Sequence, residues 1–132
     1  MNPILTIIIV FLILLWIKSN LHELSHYLKA RKYKLNHKYS FLKMLFWPFN
    51  ISIDDKIKTA KPIIKVEILM SGLKTDSITL LFSIVIWFYI RNNKILNIVF
   101  MFFIFIQAFG FVLNLFFGDY YKLKILLDKS DY

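Results

Sequence analysis

The stretch PILTIIIVFLILLWIKSNLHELSH, residues 3–26, decides how this chain is read. Its first fifteen positions are apolar except for Thr6, and it closes on His22-Glu23-Leu24-Ser25-His26, an H-E-x-x-H. On a helix, residues four apart share a face. The two imidazoles are therefore positioned to hold one divalent metal, with Glu23 beside it as a candidate base for a water on that metal. That chemistry at the end of an apolar run points to peptide-bond hydrolysis in or next to a membrane.

The whole chain supports a membrane setting. It has 132 residues, 58% of them hydrophobic, with 14 Phe and only 3 Gly. Its mean hydropathy is +0.61, above a soluble domain's usual apolar share. The 17 Lys and Arg outnumber 8 Asp and Glu, a formal net charge of +9. A basic excess fits either a nucleic-acid binder or a membrane protein with basic loops. The long uninterrupted apolar runs favour the second, so lipid and not nucleic acid is the expected partner. No cysteine is present, which excludes disulfides and thiolate ligands.

Working outward, the first apolar run lacks a basic leader and is followed by no small-x-small cleavage site, so a retained helix is expected. The pattern predicts helices over about 3–32, 62–90 and 95–117, a loop over 33–61 and a single membrane domain over 1–132. Pro62 suits a first helical turn, and Arg91-Asn92-Asn93-Lys94 reads as a tight polar turn. The expected class is all-α: three transmembrane helices plus a short cytoplasmic or re-entrant loop able to form a small β-hairpin. Ten of the 17 basic residues fall between Lys29 and Lys65. The positive-inside rule places that loop and the C-terminus in the cytoplasm and the N-terminus outside the cell membrane.

Depth can be counted. A bilayer core needs about 20 helical residues at ~1.5 Å each. Counting in from Pro3 reaches His22, back from Ile90 reaches Ser71, and forward from Ile95 reaches Asn114. Each arrival point opens a polar cluster, at residues 22–26, 71–76 and 114–119. Polar groups at that depth are costly unless they share a cavity or a metal.

Catalytic zinc usually has three protein ligands. Glu67, Asp76, Asp119 and the acids outside the spans are candidates for the third. Asp119 is favoured because residues 114–119 end the third helix at matching depth. The bland alternative is a plain helix stop, with Gly118 as cap and Asp119 solvated. For the H-E-x-x-H the bland alternative is an interfacial helix whose charges snorkel to the headgroups.

The H-E-x-x-H near the end of a transmembrane helix, with Asn114 and Asp119 closing a later one, resembles the site-2 protease family of intramembrane metalloproteases. The resemblance implies a three-helix core, one zinc held by His22, His26 and Asp119, and Glu23 as catalytic base. It implies substrate contacts for Asn114 near the scissile bond. It extends them to Asp76, because Ser71-Gly72-Leu73-Lys74-Thr75-Asp76 falls where many members have Gly-Pro-x-x-Asn. The chain departs from the family pattern in several places. No Pro follows Asn114, Tyr120 replaces Gly, Leu73 replaces Pro and Asp76 replaces Asn.

Residues 37–43 and 50–53 partly alternate in polarity. A hairpin with an edge open to an extended substrate is one reading, and a basic stretch lying on headgroups is the other. His37 reads as an ordinary loop histidine. Lys18 shares a face with His22, and it either lines a wet cleft or pairs with Asp76. The expected function is hydrolysis of a small membrane-embedded or membrane-associated peptide by a minimal zinc metalloprotease. The alternative is a non-catalytic membrane immunity or partner-binding subunit with a degenerate protease fold.

Overall fold

The computed structural model describes residues 2–35 and 60–118, together with 121, 124 and 125. Three helices make up the architecture: α1 (Pro3–Lys32), α2 (Pro62–Ile90) and α3 (Lys94–Phe117). All three are long and apolar enough to cross a membrane, so the chain is a multi-pass membrane protein. Among the described residues there is no strand. The hairpin expected within 33–61 falls almost wholly outside those residues, and nothing described supports it.

Local chemistry sets the helix ends. Asn2 caps α1 by accepting from the Ile4 amide at 3.0 Å, and Pro3 opens the first turn. Pro62 opens α2 in the same way. The Asn93 side chain accepts from the amides of Ile95 and Leu96 at 3.1 and 3.2 Å. Lys94, expected in the turn, is therefore the first residue of α3. At the other end of α1, Leu35 donates its amide to the Ala30 carbonyl (3.0 Å) and Lys34 donates to Arg31 (2.9 Å). This is a Schellman cap, and it holds Lys34 at φ +57°. Leu35 then folds back with Ile64 onto a small core of Ala30 and Ile68.

α1 and α2 run antiparallel, as do α2 and α3 across the Arg91 turn. Period-four stripes make the interfaces. Lys18, His22, His26 and Ala30 lie on one face of α1, and Ile68, Gly72 and Asp76 on one face of α2. Val99, Phe100, Phe103 and Gln107 form the buried stripe of α3. Phe11 of α1 meets Phe103 edge-on, with ring centroids 6.5 Å apart. Large side chains such as Phe82, Phe102, Phe105 and Phe116 face outward, where hydrocarbon replaces water.

Polar bonds tie the bundle at three levels. Near the turn end, Trp87 Nε1 donates to Asn97 at 2.7 Å. In the middle, Gln107 donates to Ser83 Oγ at 2.8 Å, and Ser83 donates to the Thr79 carbonyl at 2.8 Å. At the basic end, Lys29 lies 3.2 Å from Glu67 and the Tyr33 hydroxyl donates to the same carboxylate. That bond, with lesser help from burial and from the Glu67 charge, holds the Tyr33 hydroxyl above the ordinary phenol range.

α1 has 30 residues, about 45 Å of helix against about 30 Å of hydrocarbon. The helix is therefore longer than the apolar zone is thick.

Candidate metal centre

His22 and His26 are brought together by the helix repeat itself. Their rings meet edge to face with centroids 4.7 Å apart. The two Nε2 atoms face each other at 3.1 Å. In a tetrahedral zinc site, Zn–N bonds of about 2.0–2.1 Å separate two ligand nitrogens by roughly 3.3 Å. The 3.1 Å spacing is close to that value.

Each ring is turned by what lies behind it. His26 is buried, and its Nδ1 lies 2.7 Å from the Ile68 carbonyl oxygen, which can only accept. A hydrogen bond to it places a proton on Nδ1. Ser71 Oγ also donates to that carbonyl, at 2.6 Å, and so helps fix the acceptor. For His22, Nδ1 lies 3.1 Å from Asp76 Oδ2, an ion-pair contact rather than a hydrogen bond. Two imidazole nitrogens at 3.1 Å attract when a proton or a cation lies between them. An outer acceptor on Nδ1 with Nε2 turned inward is the usual environment of a metal-binding histidine.

Gly72 makes the approach of α2 possible. A Cβ placed on it would lie 2.5 Å from His26 Nε2 and 2.7 Å from His22 Cε1. No side chain fits there while the rings keep their positions. In the sequence Gly72 stood out only through the family segment. The physical signal was a lone glycine within a long apolar helix, where glycine costs about 1 kcal/mol relative to alanine and needs a packing reason.

The other expected site residues are placed as follows. Glu23 follows His22 on α1 and is half-buried. Asp76, expected against substrate, is only 6% exposed. Its Oδ1 lies 3.2 Å from Lys18 Nζ and its Oδ2 faces His22. Of the two roles open to Lys18, the fold shows the pairing with Asp76. A charged lysine within an apolar helix is costly, and the partner carboxylate offsets that cost.

Asn114 sits half-buried one turn from the end of α3. Its carbonyl accepts the Gly118 amide at 3.1 Å, so Gly118 caps the helix, the part of the plain-stop alternative that the described residues reach. Asp119, the favoured third ligand, and His37 lie outside the described residues. Among the described residues no three His, Asp or Glu side chains are grouped to hold a metal. Asp76 faces the far side of the His22 ring, and Glu67 is held by Lys29 and Tyr33.

A groove of about 330 Å³ lined by Lys29, Glu67, Ser71 and Lys74 opens beside α2. Of its lining residues, Ser71 lies 3.4 Å from His26 Nδ1, and neither histidine lines it.

The described residues thus supply two pre-turned imidazoles, an adjacent carboxylate and a side-chain-free wall at the edge of an apolar bundle. Comparison of the chain with family models, with curated proteins and with solved structures returned no match in any of the three.

Proposed function

We propose that this chain is an intramembrane zinc metallopeptidase that hydrolyses a peptide bond in a short membrane-embedded or membrane-associated peptide. One observation carries the reading: the His22 and His26 Nε2 atoms lie 3.1 Å apart, with the Ile68 carbonyl hydrogen-bonded behind His26 and the Asp76 carboxylate 3.1 Å from Nδ1 of His22. A histidine pair that served only as packing would have no need of both arrangements. His22, His26 and Asp119 would hold one zinc per chain. When bound, zinc supplies Lewis acidity toward a substrate carbonyl and toward water.

The chain's own groups do the rest. Glu23 takes the proton of the attacking water and returns it to the departing amine as the C–N bond breaks. Asn114 contacts substrate near the scissile bond. Gly72 keeps the space beside the imidazoles free of a side chain. A peptide bond within a helix is already hydrogen-bonded, so the substrate must unwind locally, and sequences with weak helices are preferred. The basic connection between α1 and α2 lies on the cytoplasmic side in this proposal, which puts the site near the cytoplasmic edge of the membrane.

The test uses purified protein in liposomes with a synthetic hydrophobic peptide carrying a helix-weak Gly-Asn centre. Wild type should cleave it. Glu23→Ala should retain zinc and cut at least a hundredfold slower, in line with the ~10²–10⁴ contribution of a general base. Cleavage at the wild-type rate by that variant refutes the mechanism.

A second reading has one observation in its favour. Lys18, Asp76, His22, His26 and the Ile68 carbonyl form a chain of contacts complete without metal. A non-catalytic membrane immunity or partner-binding subunit could use it to lock α1 to α2. Unchanged biological function in a His22→Ala, Asp119→Ala double variant supports that reading over the first.

A further inference from the structure

The geometry points to Asp76 as a positioning residue for the metal ligand His22, itself set in place by Lys18 across the α1–α2 interface. This rests on the reading of His22 and His26 as metal ligands and names the part of the fold that readies them. A carboxylate has two oxygens, and here each has a different task. Oδ1 lies 3.2 Å from Lys18 Nζ, and Oδ2 lies 3.1 Å from His22 Nδ1. Lys18 and His22 are one helical turn apart on α1, so a single carboxylate from α2 spans them both.

Behind the ring of His22 lies the Asp76 carboxylate, whereas behind that of His26 lies the Ile68 carbonyl. His26 is therefore oriented by backbone that any residue at position 68 would supply. His22 is oriented by a side chain that mutation can remove. The asymmetry makes Asp76 the adjustable half of the cradle. The Lys18 charge balances Asp76 and holds its Oδ1, which keeps Oδ2 turned toward the ring. It also opposes any swing of the carboxylate around the ring to the Nε2 side. Asp76 with 7% and Lys18 with 22% side-chain exposure are largely withdrawn from lipid and water, so neither finds substitute partners easily.

The experiment measures zinc affinity in detergent by competition with a chromophoric chelator, together with the visible spectrum of the cobalt-loaded protein. Outer partners of metal-bound histidines are worth about 10–100-fold in affinity. Asp76→Asn should therefore weaken zinc binding by about that factor and alter the cobalt spectrum. Lys18→Met should weaken it several-fold, and Lys18→Arg should restore most of the loss. In the Lys18→Met, Asp76→Asn double variant, binding should be no weaker than in Asp76→Asn alone, because Lys18 acts through Asp76.

Wild-type affinity in Asp76→Asn, with binding abolished in His22→Ala, overturns the positioning role and leaves the metal reading intact. Tighter binding in Lys18→Met, or losses that add in the double variant, overturn the part assigned to Lys18. A lower melting temperature of metal-free Asp76→Asn with unchanged affinity marks a purely structural pair and also overturns the proposal. Absence of zinc from wild type removes the metal reading itself. Should Asp76→Asn fail to fold, the Lys18→Met and Lys18→Arg pair decides the matter by the same affinities.

Discussion

Gly72 lies against His26 so closely that a Cβ on the glycine would stand 2.5 Å from the imidazole Nε2. Real Cβ atoms do not approach that near, so adding one must move something. His26 is buried and tied to the Ile68 carbonyl, and His22 is held by Asp76. Turning aside would break the His26–Ile68 hydrogen bond or the His22–Asp76 contact.

Gly72→Ala should therefore weaken zinc binding by at least tenfold. Alanine favours helix over glycine by about 1 kcal/mol, so helix content should not fall. Circular dichroism and zinc competition on the same sample check both halves. Undiminished zinc affinity would show that the rings have room that the fold denies them.

Lys34 occupies the left-handed position of the cap that ends α1, at φ +57°. A residue with a Cβ pays about 1–2 kcal/mol there, and glycine does not. Lys34→Gly should raise stability in detergent by about 1 kcal/mol, measured by reversible denaturation in mixed micelles. Lys34→Val should lower it, since β-branching suits that region worst. The cap geometry is wrong if both variants behave alike.

Ser83 and Gln107 are bonded across the α2–α3 interface, with Gln107 only 3% exposed. The Gln107 Oε1 atom is buried and has no hydrogen-bond partner among the described residues. Interhelical bonds of this kind average about 0.6 kcal/mol in membranes and reach about 1.7. Ser83→Ala should cost an amount in that range, because it strands the glutamine amide. Gln107→Leu should be near neutral, because it removes the orphaned oxygen along with the donor. The double variant should resemble Gln107→Leu, and a full thermodynamic cycle in detergent reads the coupling.

Asn93 accepts from two α3 amides that no carbonyl within the helix reaches. Asn93→Ala should cost about 1 kcal/mol, and Asn93→Asp should retain most of the stability. Both are read from the same denaturation assay. The effect belongs to the α2–α3 turn and should leave zinc affinity unchanged.

Much of this architecture is local and could be read from the sequence. Pro3, Pro62 and the Arg91–Asn93 turn mark helix boundaries because proline and asparagine act through their own backbone or their nearest amides. Only Lys94 shifted, by joining the helix that Asn93 caps. The facing of His22 and His26 is equally local, since it follows from four-residue spacing. Depth counting brought residues 71–76 to the level of the histidines, and the fold sets Gly72 and Asp76 against them.

What pattern could not supply was the pairing of specific atoms between helices. That Ile68 offers its carbonyl to His26, 42 residues away, depends on backbone, and a carbonyl leaves no trace in residue type. The choice of Lys18 for Asp76 over a wet cleft depends on the rotation of α1 against α2, which periodicity fixes only to within a face. Asp119 and the proposed hairpin strands belong to segments outside the described residues, so their roles rest on sequence and resemblance.

The most direct measurement is the zinc content of detergent-purified wild type beside His22→Ala and Asp119→Ala, by elemental mass spectrometry against protein concentration. The account predicts about one zinc per wild-type chain, none in His22→Ala and a sharp loss in Asp119→Ala. Equal zinc in all three proteins, or none in wild type, contradicts it.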